Sequence, residues 1–115
     1  MNKDILTETG CIYVIHNIIT NKYYVGQTRL RNPIIRWKDH YDEAFLKNNQ
    51  YHLYASMRKY GIEKFQFQII EDAILIEELN DKEKYYINLY DSYNNGYNNT
   101  AGGQDDSWHT KLTKI

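Results

Sequence analysis

Glu83 stands out of place. Between Leu75 and Tyr90, the residues Leu75, Leu79, Tyr86, Ile87 and Tyr90 recur at the spacing that puts them on one stripe of a helix, and Glu83 falls inside that stripe between Leu79 and Ile87. Burying an ionised carboxylate without a partner costs several kcal/mol, so the position calls for a cation, a metal ion or strong donors. A metal-ligating or catalytic carboxylate meets that need. So does a structural ion pair with a buried Arg or Lys, or a helix rotated or broken near Asn80. Earlier in the chain, Arg36 and His40 are four apart and stand one above the other on a helix face, offset from the Ile34, Trp37 and Tyr41 stripe. Both can point into one cleft; equally, Arg36 can pair with Asp39 and His40 with Glu43 on a solvated face. Tyr13 and Tyr24 are phenols at matching places in two β-prone segments. His52 follows the candidate cap Asn49, as a donor behind a site or as a surface residue, and His16 reads as hairpin packing.

The elements that must position these groups are legible in outline. CIYVIH (11–16) and YYVGQ (23–27) are rich in β-branched and aromatic side chains, and NIITNK between them carries turn residues, which predicts an antiparallel hairpin with a loop of about six residues. That hairpin brings Tyr13 and Tyr24 side by side. Asn32-Pro33 opens a helix expected to reach about Lys47, with Ile34, Trp37, Tyr41 and Ala44 as its apolar side. A second helix fits 50–60 and is closed by Gly61 as a left-handed terminator. KFQFQIIED alternates Phe65, Phe67 and Ile69 with polar neighbours, predicting a third strand, and a last helix spans about 75–90. YNNGYNNTAGG has turn chemistry, and DDSWHTKLTKI reads as a tail. The expected fold class is therefore α+β: a small three-stranded antiparallel sheet flanked by helices.

Composition narrows the function classes. The 115 residues suit one domain, with 42% hydrophobic and 25% charged residues and no apolar run of the roughly 20 residues a membrane helix needs. A single cysteine, Cys11, excludes an internal disulfide and zinc-finger spacing, and the first ten residues lack a secretory layout. An intracellular, cytoplasmic setting is expected. The net charge of −1 conceals an asymmetry, since residues 1–70 hold ten Lys and Arg against six Asp and Glu, and residues 71–115 hold four against nine. The basic front is where an anionic partner would meet the chain.

The hairpin motif around Tyr13 and the Tyr24-Val25-Gly26 triplet resemble the paired GIY and YIG motifs of the GIY-YIG nuclease superfamily, of the type found in homing endonucleases. In that family an Arg stands four residues before a His on the first helix, followed by a Glu on a later helix and an Asn near a glycine pair. Here those are Arg36 and His40 in RWKDH, Glu83 in EKYYI, and Asn98 in GYNNTAGG. The resemblance covers roughly residues 10 to 103, with the elements in order. The one departure is Cys11 where the first motif has glycine, with Gly10 one place earlier; a buried Cys behaves as a small hydrophobe.

The resemblance implies a metal-dependent DNA endonuclease that hydrolyses phosphodiester bonds. Glu83 would hold Mg²⁺, with Mn²⁺ as a possible substitute, since Mg²⁺ takes few carboxylates and fills its shell with water and substrate oxygens. Tyr13 would be the general base, and its phenolate would need positive charge from Arg36, the metal or His40. Tyr24 would orient water or a phosphate oxygen, Arg36 would clamp the phosphate, and His40 would hold Tyr13 or shuttle its proton. His52 and Asn98 would be donors one step behind, Asn98 fixing the sheet edge. Lys22, Arg29, Arg31, Lys38 and Arg58 are the candidates for tracking a DNA backbone, each of them equally compatible with a solvated surface. Phosphate carries no sequence, so specificity is expected from a missing DNA-binding domain or partner. The expected domain is 1–103, with 104–115 as a C-terminal tail or the start of a linker. The competing class is a non-catalytic module that binds branched or nicked DNA.

Overall fold

The computed structural model describes residues 6–102; the tail expected over 104–115 lies outside them. Two strands, β1 (Leu6–Asn17) and β2 (Lys22–Leu30), form the hairpin, followed by helices α1 (Ile34–Phe45) and α2 (His52–Tyr60), strand β3 (Phe65–Leu75) and helix α3 (Ile76–Tyr90). The sheet is antiparallel throughout with order β2-β1-β3. The expected three-stranded α+β architecture is what the chain adopts.

Because β1 is the central strand, it is buried on both faces, and this is why CIYVI reads as an unbroken apolar run rather than an alternation: Cys11 through Ile15 are all at most 3% exposed. Alternate residues serve two cores. Tyr13 and Ile15 pack with Ala44 of α1, Leu53 and Met57 of α2, and Phe65 of β3. Ile12 and Val14 pack with Val25 and with Leu79 and Ile87 of α3. The sheet is therefore a partition, with α1 and α2 on one side and α3 on the other.

Several boundaries differ from the expectation, for local reasons. The hairpin loop is residues 18–21, shorter than six, because Asn17 Oδ1 accepts the backbone N–H of Ile19 at 2.9 Å and Asn21 takes a left-handed conformation (φ 61°), closing the turn early. Tyr13 consequently lies opposite Gly26, and Tyr24 opposite Ile15. The two phenols are diagonal neighbours on one face, with ring centroids 6.3 Å apart. Helix α1 ends at Phe45 rather than Lys47. Gly61 does follow α2, but at φ 92° and ψ 144° it is an extended conformation open to glycine, not the left-handed helical terminator. The apolar side expected for α1 is rotated: Ile34 is 55% and Tyr41 40% exposed, whereas His40 and Ala44 are buried. A helix wheel weighs a histidine as polar, and here that histidine faces the core because a buried phenol needs its ring nitrogen.

Candidate active site

Tyr13 is fully buried, its hydroxyl included. Its Oη lies 2.7 Å from His40 Nε2 and accepts Arg36 Nε–H at 3.3 Å, while His40 Nδ1 is 2.9 Å from Tyr54 Oη. One proton arrangement satisfies the whole chain. Arg36 donates to Tyr13, Tyr13 O–H donates to Nε2 of a neutral imidazole, and Nδ1–H donates to Tyr54. The Tyr24 ring meets His40 edge-on at 5.4 Å, so both phenols of the hairpin converge on one imidazole.

The electrostatics follow from burial. Desolvation raises the Tyr13 phenol above its ordinary value; the Arg36 charge and hydrogen bond work against that, and the charge of Glu83 works with it. Tyr24 is pushed up further, again mainly by burial. Arg36 is held firmly protonated by the neighbouring phenols. His40 is lowered to about 3 by burial and by the Arg36 charge. This corrects one expectation: His40 is neutral near pH 7, so it offers Tyr13 an acceptor and supplies no positive charge. Arg36 is the cation of the cluster.

Glu83 sits on α3 between Leu79 and Ile87, each 2% exposed, and is itself half-buried. Its Oε1 accepts Nε2–H of Gln27 at 3.0 Å, and the same amide reaches Asn80 Oδ1 at 2.8 Å. Gln27 pairs opposite Ile12, on the α3 side of the sheet, next to Gly26 on the Tyr13 side. Glu83 thus stands at the edge strand β2, near enough for its charge to act on Tyr13 through the sheet edge. As a cation ligand it fits: it is a hard oxygen donor oriented by a side-chain amide. Among the described residues no group of three or more His, Cys, Asp or Glu surrounds it, so any ion there would keep sites for water and phosphate oxygen.

The remaining candidates sort by position. Asn98 pairs with the β2 backbone in both directions, its Oδ1 accepting Val25 N–H at 2.9 Å and its Nδ2 donating to the Val25 carbonyl at 2.9 Å. His52 is exposed and packs edge-on against Tyr97 at 4.8 Å; Tyr54, not His52, is the α2 residue that reaches His40. Arg58 is committed to structure, donating to the Ala44 carbonyl at 2.8 Å and so tying α2 to the end of α1. Lys38 is largely exposed and pairs with Asp42 at 3.1 Å. Arg29 and Arg31 are exposed at the far end of β2, and Lys22 is half-buried at its start. His16 stacks on Tyr23 with ring centroids 4.2 Å apart, as hairpin packing implies. Cys11 is 2% exposed, and its thiol is raised to about 11 by burial.

The sequence shows Gly26 only as part of the Tyr24-Val25-Gly26 triplet, and it does not mark Gln27 or Tyr54. At Gly26 a Cβ would fall onto the Tyr13 ring, so the glycine makes room for the phenol to lie across β2; a glycine inside a strand pattern was the available signal. Gln27 orients Glu83, and nothing in its type marks it. Tyr54 is one of twelve tyrosines in the chain and reads as packing until its hydroxyl is located.

Residues 9–98 match the family model of the GIY-YIG catalytic domain. The structure is similar to a mutant of the catalytic domain of the intron endonuclease I-TevI, with a TM-score of 0.70 and 27% identity over 81% of this chain and 95% of that one. It is also similar to the catalytic domain of the homing endonuclease I-TevI, with a TM-score of 0.67 and 28% identity over 79% of this chain and 98% of that one.

Proposed function

The chain belongs to the GIY-YIG catalytic-domain family, and we propose from that premise that this endonuclease domain hydrolyses DNA phosphodiester bonds with Tyr13 as general base and a divalent cation, Mg²⁺, at Glu83. The observation that carries the reading is the Tyr13 hydroxyl, buried and held between Arg36 and His40. Those contacts use the phenol's proton and one of its lone pairs, which leaves the second lone pair to accept a proton from water.

Tyr13 takes the proton of the attacking water, and its own proton is passed to His40 Nε2, 2.7 Å away. The lowered basicity of His40 makes it a poor resting place, so as Nε2 takes up the Tyr13 proton Nδ1 gives its own to Tyr54 Oη, and Tyr54 releases its hydroxyl proton to water. Arg36 clamps a non-bridging phosphate oxygen and meets the charge that develops on it, a role suited to a planar guanidinium that stays protonated. Tyr24 orients the water or a phosphate oxygen. Asn98 holds the edge strand that carries Tyr24 and Gly26. A cation bound at Glu83 would polarise the phosphate, stabilise the departing 3′ oxygen and lower the cost of the Tyr13 phenolate.

Incubation with supercoiled plasmid tests this. Wild-type protein is expected to nick the plasmid in Mg²⁺, with Mn²⁺ substituting, and to stop when a chelator is added. Glu83→Ala is expected to abolish nicking while its circular dichroism and melting temperature stay close to wild type. A folded Glu83→Ala protein that still nicks removes the carboxylate from the mechanism, and a gel shift by wild type without nicking identifies a binding module instead.

A further inference from the structure

A cationic cavity lies at the hairpin end of the sheet, outside the chemistry described above. It has a volume of about 340 Å³ and is lined by Thr20, Lys22, His52, Ser56, Lys59 and Tyr97, among others, with no Asp or Glu among the described residues that line it. Its floor is rigid. Asn17, 0% exposed, donates through Nδ2 to Tyr97 Oη at 3.0 Å and to Ser56 Oγ at 3.4 Å, and those two hydroxyls are 2.7 Å from each other. The Tyr97 backbone is tied in as well, its N–H to the Tyr23 carbonyl at 2.9 Å and its carbonyl to Tyr51 Oη at 2.8 Å.

One group in this setting is unexplained. Thr20 Oγ1 is buried and, among the described residues, has no hydrogen-bond partner, and an orphaned buried hydroxyl ordinarily marks a missing ion or water. The cavity that Thr20 helps to line is also lined by Lys22, Lys59 and His52, with no Asp or Glu among its described lining residues. Point-charge ammoniums with a hydroxyl donor are a combination that suits phosphate oxygens.

We propose that this cavity binds a phosphate of the DNA backbone, a second anchor on the strand at the hairpin end of the sheet. The identity of the carrier as DNA rests on the nuclease reading; the preference for phosphate rests on the cavity alone. The anchor gives His52 the role that the Tyr13 cluster does not, as a donor at the cavity rim.

The test uses the full chain and a double variant, Thr20→Val with Lys59→Gln, checked for an unchanged melting temperature, with Lys59→Arg as the charge-conserving control. Inorganic phosphate is titrated while backbone amide shifts are followed, and the affinity for a short duplex is measured across salt concentrations. The double variant is expected to lose saturable shifts near Thr20 and Lys59, to bind duplex about three- to tenfold more weakly, and to lower the salt slope by about one, while Lys59→Arg retains all three. Phosphate shifts in wild type with duplex affinity and slope unaltered in the variant would overturn the proposal in favour of free phosphate. Absence of both effects would overturn it outright. Plasmid nicking by the same wild-type preparation reports the nuclease reading separately.

Discussion

Tyr13 and His40 define each other's protonation. Removing a phenol and an imidazole from water favours the neutral form of both, and the one full charge beside them, Arg36, pulls the phenol down and the imidazole down together. A stability signature follows from the histidine. Its folded value of about 3 lies below the ordinary 6.5, so the unfolded chain takes up the proton first as the solution is acidified. The His40 contribution is fully present above about pH 6.5 and is lost as pH falls toward 3, with a slope of at most about 1.4 kcal/mol per pH unit. Melting temperatures of wild type and His40→Gln between pH 7 and 4 check this. The wild type is expected to fall more steeply across the window, and parallel curves would show that His40 carries no burial penalty. None of this was readable from residue types. Spacing showed that Arg36 and His40 share a face, but not that the face turns inward, since that depends on what lies opposite.

At the scale of elements, the edge strand β2 is the fragile part. It carries Tyr24 and Gly26 on the Tyr13 face and Gln27 on the α3 face, and it is closed by a non-strand segment, Tyr97 and Asn98, bonding to Tyr23 and Val25. That segment satisfies an edge that would otherwise be an open template for pairing. Asn98→Ala removes both bonds to Val25 and is expected to cost about 1–3 kcal/mol in urea unfolding, with a loss of cutting that tracks the loosened strand. Asn98→Asp keeps the acceptor and is expected to fall between; equal stability of all three proteins would show that the pairing contributes nothing. Strands and helices were largely legible because their periodicities are local: Phe65, Phe67 and Ile69 alternate, and Leu79 and Ile87 recur at helical spacing. Asn98 was legible only through a motif near a glycine pair, and the inward rotation of α1 not at all, because a buried histidine looks polar until its phenol partner is placed.

Across the whole molecule, the sheet separates the Tyr13 cluster from the helix that carries Glu83, and the two halves meet around the edge of β2. This arrangement depends on β1 lying in the middle, a consequence of long-range pairing between β1 and β3 that no local pattern encodes. The proposed chemistry requires that Tyr13 act on protons rather than hold DNA. Single-turnover cleavage of supercoiled plasmid in Mg²⁺ by Tyr13→Phe, with duplex affinity measured on the same protein, separates the two. Removing that one oxygen is expected to slow cutting by about 10²–10⁴-fold while affinity stays close to wild type; a variant that cuts at the wild-type rate, or loses rate and affinity by the same factor, would contradict it.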